Sequence, residues 1–271
     1  MNAAELIENL RSGRNVFGSL IVSSSPRWPD AVRGCGLDFV FIDTEHIALD
    51  RAQLSWMCQT YAALGLAPVV RIPAPDPFAA TMALDGGAAG IIAPYVEKAE
   101  QVRALRGAVK LRPIKGQILQ NLLDGHECEP ELDAYLQRGA KDRLLIVNIE
   151  SVPAIAALDE ILAVPGLDAV LVGPHDLSCS LGMPEQYDRP EFLSACETIF
   201  RKARAAGIGA GIHFWGTVEQ QARFLAMGAN MLIHSADITL FQKHLRLELE
   251  AVKNAAGVPR AGGGSADGVN I

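Results

Sequence analysis

Residues 167–182 read LDAVLVGPHDLSCSLG, an apolar run that ends at a glycine and a proline and then presents one carboxylate, Asp176. The run predicts a buried β-strand, because parallel strands covered on both faces are continuously apolar. A carboxylate directly after such a strand lies at the carboxyl end of the sheet, where α/β proteins place their chemistry. A second apolar run, residues 144–149, is followed in the same way by Glu150. Two acids at two strand ends indicate one metal site.

Eight short apolar runs of this kind recur along the chain, most of them separated by segments with helical periodicity. Apolar strands that alternate with amphipathic helices predict an α/β fold with a parallel sheet covered by helices. Eight such units within 271 residues favour a TIM-type (β/α)8 barrel over residues 1–254, with a doubly wound open sheet as the alternative. The predicted strands are 17–22, 37–42, 68–72, 90–93, 144–149, 169–172, 209–213 and 230–234.

Two segments depart from this rhythm. Residues 112–130 contain glycine, prolines and a polar cluster, and they predict a long loop between the fourth and fifth strands. A loop of that length in a compact domain is more often functional or mobile than idle. Residues 255–271 are rich in glycine and small residues, which predicts a flexible C-terminal tail.

The composition restricts the class of protein. With 49% hydrophobic residues the chain can build a large core, and its net charge of −7 leaves no basic stripe for nucleic acid. The five cysteines are scattered and odd in number, which is typical of reduced thiols rather than of a disulfide framework. Neither a signal peptide nor a membrane-spanning run is evident. We therefore expect a soluble cytoplasmic enzyme.

Ionisable residues gather at the predicted strand ends. Asp43 and His46 follow the second strand, Arg71 ends the third, and Glu150 and Asp176 follow the fifth and sixth. Each has an ordinary explanation alone: the acids could cap helices, the histidine could be structural, and the arginine could pair with a nearby acid. Packing does not require all of them at one edge of a barrel. Hard oxygen ligands without cysteine suit Mg²⁺ or Mn²⁺, with water and substrate in the open positions.

Lysine is missing from these positions. None of the lysines lies within a predicted strand or at its carboxyl end, so a Schiff-base mechanism has no candidate nucleophile. Carbanion chemistry in such a barrel would need a metal as its electron sink. The glycines of residues 85–90 have the wrong spacing for a phosphate-binding loop and predict a helix end that leads into a strand.

Five motifs, in order, resemble the HpcH/HpaI aldolase/citrate lyase family over most of residues 5–250. They are DTEH at 43–46, VVRIP at 69–73, LDGGAAGIIAP at 84–94, NIES at 148–151 and GPHDLSCSLG at 173–182. The chain is most similar to the metal-dependent (class II) pyruvate aldolases, which cleave 4-hydroxy-2-oxoacids reversibly to pyruvate and an aldehyde. The resemblance implies a TIM-type barrel, a hexamer with a helix exchanged between paired subunits, and a divalent metal (Mg²⁺, Mn²⁺ or Co²⁺) that stabilises a pyruvate enolate.

The resemblance also implies the metal and substrate ligands. Glu150 and Asp176 match the two metal ligands of the family. Amides around His175 and Asp176 match the backbone donors that hold the pyruvate carboxylate, so the substrate-binding loop comprises Gly173, Pro174, His175 and Asp176.

Catalytic roles are implied in the same way. Arg71 matches the arginine that stabilises the enolate oxygen. His46, supported by Asp43, matches the general base. Asp85 matches an acid that reaches the site from a neighbouring subunit.

Two departures concern the substrate. Where relatives that cleave dicarboxylates carry an arginine-containing segment, this chain has KGQILQNLL at 115–123, in which Lys115 is the one basic residue. That segment shapes the acceptor pocket in the family, so we predict a neutral or hydrophobic aldehyde. Asn148 stands where many members have glutamine, and the shorter amide is expected to widen the substrate site.

Three alternatives remain open at this stage. A lyase acting on a CoA thioester would need more basic groups for the CoA phosphates than this acidic chain offers. An oxaloacetate-type decarboxylase would use the same enolate chemistry. A non-catalytic barrel that only binds a ligand is the alternative from a different class, because function depends on the site and not on the fold.

Overall fold

Eight parallel strands close into a barrel in the computed structural model, which describes residues 1–258. Neighbours in sequence pair in order, and the first strand pairs with the last, so the predicted TIM-type barrel is confirmed. All eight predicted strands are present, with ends that differ by a few residues. The strands are β1 Val16–Leu20, β2 Phe39–Asp43, β3 Ala67–Arg71, β4 Gly90–Ala93, β5 Leu144–Ile149, β6 Ala169–Val172, β7 Gly209–Phe214 and β8 Met231–Ala236.

Helices surround this barrel, and one of them precedes the first strand. They are α1 Ala3–Ser12, α2 Trp28–Arg33, α3 Arg51–Ala63, α4 Pro77–Asp85, α5 Ala99–Lys110, α6 Gly116–Leu123, α7 Pro130–Ala140, α8 Val152–Ala156, α9 Leu158–Leu162, α10 Pro174–Ser180, α11 Pro190–Ala205, α12 Val218–Ala226 and α13 Asp237–Ala255. The glycine cluster at 85–90 joins the end of α4 to the start of β4, as predicted.

Alternation along the strands separates two apolar cores. In β2, Phe39 and Phe41 belong to the core inside the barrel, whereas Val40 and Ile42 pack between the strands and the surrounding helices. Because side chains alternate with a period of two, the next inward position is Asp43 at the carboxyl end of the strand. The same alternation places an arginine and an asparagine at the inward ends of β3 and β5.

A buried ion-pair network closes the amino end of the barrel. The carboxylate of Asp168, which is fully buried before β6, accepts hydrogen bonds from Arg11 Nη2 at 2.9 Å, Lys110 Nζ at 2.6 Å and the Leu145 backbone N–H at 2.9 Å. Lys110 Nζ also donates to the Ala140 carbonyl at 3.2 Å. Burial lowers the pKa of Lys110, and the charge of Asp168 opposes that effect. The network therefore ties α1, α5, α7, β5 and β6 together.

The segment 112–130 was predicted as a loop, and this was wrong for its centre, where α6 forms. A Cβ added at Gly107 of α5 would lie 3.2 Å from the side chain of Leu119 and 3.6 Å from that of Leu123. These close approaches show that α6 packs its apolar residues against α5. The long-range contact with α5 stabilises a helix that the glycine and prolines at its borders concealed in the sequence.

Helix α13 extends away from the barrel. Every residue from 241 to 255 is exposed, including Phe241, Leu245, Leu247 and Leu249. The predicted tail began at residue 255, but Ala255 is the last residue of α13, and residues 259–271 lie outside the described part of the chain. Within residues 1–258, no helix combines the length and apolar character needed to cross a membrane.

We expect Asp168→Asn to destabilise the protein by about 3–5 kcal/mol, because the substitution leaves the ammonium group of Lys110 buried without its counter-charge. Urea denaturation followed by circular dichroism measures the change. Asp159→Asn is the control, since it removes the acid of an exposed pair with Lys202 and should leave the transition midpoint unchanged. A loss below about 1 kcal/mol for Asp168→Asn would show that the network contributes little.

Candidate active site

A cavity of about 460 Å³ opens at the carboxyl end of the barrel. Seven of the residues predicted from the sequence line it, and they come from four different strand ends. These residues are His46, Arg71, Asn148, Gly173, Pro174, His175 and Asp176. The carboxyl end of a parallel barrel is the usual place for an active site, so this cavity is the candidate.

Arg71 is held rigidly by Asp43. Its Nε and Nη2 atoms donate to the two carboxylate oxygens of Asp43 at 2.8 and 2.7 Å, and its Cζ lies 5.4 Å from the centre of the Phe41 ring. Burial is the largest influence on the pKa of Asp43 and would raise it, but the hydrogen bonds and charge of Arg71 lower it overall. Asp43 is therefore an ionised anchor, and the guanidinium of Arg71 enters the cavity wall as a fixed cation.

The imidazole of His46 lies beside the carboxylate of Glu45, with its ring Nε2 3.7 Å from that group. Asp43 accepts a hydrogen bond from the backbone N–H of His46 at 3.3 Å and also interacts electrostatically with His46. The support of His46 by Asp43 stays a prediction.

Glu45 and Tyr95 were not identified from the sequence as site residues. The pKa of Tyr95 is raised to about 12, mainly through the interaction of its hydroxyl with the Glu45 carboxylate. The Tyr95 backbone has a φ of 56°, in the left-handed region, and its N–H donates to Glu150 at 2.7 Å. The motif DTEH contains Glu45, so the sequence offered a signal there, whereas nothing in it distinguishes Tyr95.

Glu150 is a buried carboxylate in an unfavourable electrostatic position. Its Oε1 accepts the Tyr95 N–H and its Oε2 accepts Asn148 Nδ2 at 2.8 Å. Burial raises the pKa of Glu150, and the nearby charges of Asp176 and Glu45 raise it further. A Cβ added at Gly173 would lie 2.5 Å from Glu150 Oε2, so a larger residue at this position would displace the Glu150 carboxylate.

Asp176 lies in the first turn of α10 with its side chain exposed. Within the described residues its carboxylate accepts no hydrogen bond, so the alternative of a helix-capping side chain is not realised. An unpaired carboxylate beside a buried one of raised pKa fits a bound cation, which would neutralise both. No group of three His, Cys, Asp or Glu residues within 1–258 could hold a metal, so water and ligand oxygens would complete the shell.

Asp85 and Lys115 do not line this cavity. Asp85 ends α4 and forms an ion pair with Arg112, while Lys115 precedes α6. Both lie toward the amino end of the barrel. The helices α4 and α5 each run from the carboxyl end to the amino end, Asp85 is the last residue of α4, and Lys115 follows the end of α5. Lys115 therefore does not contact the cavity of its own chain, and for Asp85 the expected contribution to a neighbouring subunit stays a prediction.

His213 and Trp215 complete the cavity wall and were missed. Their ring centres lie 5.6 Å apart, and the His213 ring meets Phe41 edge-on at 5.4 Å. The signal was the alternation of β7, in which the inward glycines 209 and 211 are followed by an inward histidine. Burial lowers the pKa of His213 to about 4.

Comparison with known proteins relates the chain to one family. The family model described as HpcH/HpaI aldolase/citrate lyase matches residues 18–243. The 2-keto-3-deoxy-L-rhamnonate aldolase of Escherichia coli (strain K12) is 31% identical over 257 residues, which cover 94% of this chain and 96% of that protein. The 2-dehydro-3,6-dideoxy-6-sulfogluconate aldolase of Pseudomonas putida is 30% identical over 239 residues, covering 88% of this chain and 92% of that protein. The crystal structure of an HpcH/HpaI aldolase from Desulfitobacterium hafniense DCB-2 superposes with a TM-score of 0.79 at 27% identity, covering 92% of this chain and 96% of that chain.

We expect Gly173→Ala to weaken the binding of Mn²⁺ about 10- to 100-fold, because the added methyl group displaces the Glu150 carboxylate. Titration with Mn²⁺, monitored by electron paramagnetic resonance, measures the dissociation constant. Gly34→Ala is a matched control, since nothing lies within 4 Å of a Cβ at that position. Equal affinity in the two variants would count against Glu150 as a cation ligand.

Proposed function

Because the chain belongs to the HpcH/HpaI aldolase/citrate lyase family, we propose that its carboxyl-end cavity cleaves 4-hydroxy-2-oxoacids reversibly into pyruvate and an aldehyde. The chain is a carbon–carbon lyase, as the aldolases it matches indicate. One observation carries the assignment of the site. Glu150 interacts electrostatically both with the free carboxylate of Asp176 and with the fixed guanidinium of Arg71.

Glu150 and Asp176 are the proposed ligands of a divalent cation, with Mg²⁺, Mn²⁺ and Co²⁺ as the candidates. When bound, such a cation acts as a Lewis acid that polarises the 2-oxo group of the substrate. The residues of the chain orient the cation ligands, bind the substrate and transfer the proton. Asn148 fixes the orientation of Glu150 through its hydrogen bond to Oε2, as outer-shell donors commonly do in metal sites.

The first turn of α10 is the proposed site for the substrate carboxylate. Pro174 occupies the first helical position, so the next two N–H groups, those of His175 and Asp176, are donors without intrahelical acceptors. Gly173 allows this turn to lie directly against Glu150. The carboxylate of a 2-oxoacid would thus be held beside the cation ligands, with its 2-oxo group toward Arg71.

Arg71 is positioned to stabilise negative charge on the 2-oxo oxygen. Asp43 engages Nε and Nη2, which leaves Nη1 without an acceptor among the described residues. A donor fixed in place before the reaction stabilises a developing oxyanion without the cost of reorganisation. The pKa of Arg71 is raised by its acidic partners, although burial opposes this, so the group stays charged throughout.

His46 is the proposed general base. In cleavage, its imidazole takes the proton of the C4 hydroxyl, the C3–C4 bond breaks to give the aldehyde, and the electron pair becomes the enolate of pyruvate. A proton returned to C3 then gives pyruvate. The carboxylate of Glu45, 3.7 Å from the ring, would stabilise the imidazolium that forms.

The composition of the cavity lining favours a neutral aldehyde. Phe41, Trp215 and Leu171 contribute to it, and Arg71 is the one arginine or lysine among the described lining residues. A second carboxylate on the substrate would therefore find no further lysine or arginine among those residues, which supports the predicted preference for uncharged aldehydes.

We further propose that the protein is a homo-oligomer, a hexamer in which paired subunits exchange α13. The support is the apolar surface of α13, which from residue 241 onward is exposed within the described part of the chain, and the exposure of Phe17 on β1, beside β8. An exposed apolar surface of this extent is typical of a subunit interface. The cytoplasmic location stays a prediction.

We expect the purified protein to release pyruvate from 4-hydroxy-2-oxoacids, monitored by lactate dehydrogenase coupling. Treatment with EDTA should abolish the activity, and Mg²⁺, Mn²⁺ or Co²⁺ should restore it, because Glu150 and Asp176 alone supply no Lewis acid. Glu150→Gln and Asp176→Asn should each lower kcat/KM at least about 100-fold. Full activity in EDTA, or inactivation by borohydride with pyruvate, would contradict a cation-dependent enolate mechanism.

We also expect a double substitution, Leu245→Glu with Leu249→Glu, to lower the oligomeric state, because it places two charges on the apolar stripe of α13. Size-exclusion chromatography with light scattering measures the mass. Lys243→Gln with Glu250→Gln changes the opposite side of the same helix and should leave the mass unchanged. An unaltered mass in both variants would exclude α13 from the interface.

A further inference from the structure

A second cavity lies at the amino end of the barrel, opposite the candidate active site. Its volume is about 1320 Å³, and α1, α5 and α7 line it together with the segment that joins α6 to α7. Lys110 and Asp168 belong to its wall, so the buried ion-pair network borders this space. Small-molecule sites typically have volumes of about 300–1,000 Å³. The cavity therefore has room for an organic ligand and not only for an inorganic ion.

Arg106 brings a cation without a counter-charge into this cavity. The side chain is half-buried, and within residues 1–258 its guanidinium forms neither a hydrogen bond nor an ion pair. Burial lowers the pKa of Arg106, and no acid of the described residues opposes that effect. A charged group that loses water without gaining a partner is unfavourable. An anion bound at Arg106 would supply the missing partner.

Arg11 offers further donors beside Arg106. The stems of Arg106 and Lys110 run side by side over Gly166, where an added Cβ would lie 3.3 Å from Lys110 Cγ and 3.9 Å from Arg106 Cγ. Arg106 therefore lies next to the buried network. There, Arg11 and Lys110 share the one carboxylate of Asp168, so positive charge is in excess. Arg11 donates through Nη2 alone among the described residues, which leaves its other N–H groups available.

Exposed residues of both signs also line the cavity. They are Glu8, His126, Glu127, Asp133 and Lys141. Water and salt screen charges in exposed positions more than charges that are partly buried. The half-buried guanidinium of Arg106 therefore has the larger influence on the charge of a bound ligand.

An apolar wall faces the same space. It consists of Ile7 on α1, Leu122 on α6 and Leu136 on α7. Ile7 and Leu136 are buried in the protein, and Leu122 is half-buried. Ligand sites commonly combine apolar walls with a few polar groups that fix the orientation of the ligand. The lining therefore matches a molecule that has an apolar body and one acidic group.

We propose that the amino-end cavity is a second ligand site, which binds an organic anion with its acidic group on Arg106 and Arg11 and its body against the apolar wall. Arginine binds carboxylate and phosphate groups through paired N–H donors, and such bonds are stronger than those between neutral groups. The site is separate from the carboxyl-end cavity. It does not depend on the proposed aldolase function, so each can fail without the other.

Two fluorescent dyes test the charge requirement. They are 1-anilinonaphthalene-8-sulfonate and 1-anilinonaphthalene, which differ only by the sulfonate group. Arg106→Gln should weaken binding of the sulfonate at least about tenfold and leave the affinity for the uncharged dye unchanged. Arg103→Gln is the matched control, because Arg103 lies on the same helix, pairs with Glu100 and does not line the cavity. Equal affinity of the wild type and Arg106→Gln for the sulfonate would overturn the proposal.

Urea denaturation without dye separates a binding role of Arg106 from a structural one. Arg106→Gln removes a half-buried charge that has no described partner, so the transition midpoint should stay the same or rise. A lower midpoint together with weaker binding of both dyes would make Arg106 a structural residue and would overturn the proposal.

Cys128 reports whether the dye occupies this cavity. Its thiol is free and half-buried in the cavity lining, whereas Cys35 and Cys179 are exposed and lie outside it. Saturating 1-anilinonaphthalene-8-sulfonate should slow alkylation of Cys128 by iodoacetamide several-fold and leave Cys35 and Cys179 unaffected, as measured by peptide mass spectrometry. Cys179 lies beside His175 of the carboxyl-end cavity. Protection of Cys179 without protection of Cys128 would place the dye at the other end of the barrel and would contradict the proposal, as would unchanged alkylation of all three thiols.

Discussion

A closed barrel of eight parallel strands allows each strand only one set of inward positions, and the remainder of the site depends on that constraint. The inward positions of β2 are apolar up to its last residue, Asp43. Those of β5 are apolar up to Asn148, and the next inward position, just beyond the strand, is Glu150. The apolar residues inside the barrel pack beneath these polar groups, on the side of the amino end, and exclude water there. A shift of one residue in either strand would turn the same side chains toward the helices.

Three of the four carboxylates beside this cavity, those of Asp43, Glu150 and Asp176, have different electrostatic conditions because their partners differ. Asp43 is ionised by a bidentate arginine, and its pKa is lowered despite full burial. Glu150 accepts two hydrogen bonds but faces two other acids, and its pKa is raised. Asp176 is exposed and free of described donors. One carboxylate is thus satisfied within the protein, and two are left for a ligand of positive charge.

The sequence predicted the barrel and brought together most of the cavity lining because apolar strands and the residues after them are local patterns. The prediction from sequence failed where a contact between residues far apart in the chain determines the local structure. The helix α6 depends on packing against α5, and the place of Glu45 beside the His46 ring depends on side-chain positions that no local pattern encodes. Lys115 precedes α6 and does not line the cavity of its own chain. His213 was detectable only by extending the strand alternation to its last inward residue.

Tyr95 lies between two of the acids beside the cavity. Its backbone N–H donates to Glu150, and Glu45, which neighbours the imidazole of His46, raises the pKa of its hydroxyl. Its backbone has a φ of 56°, in the left-handed region, and its side chain is 54% exposed. The contact with Glu150 is made by the main chain, so a change of the Tyr95 side chain leaves the donor to Glu150 in place.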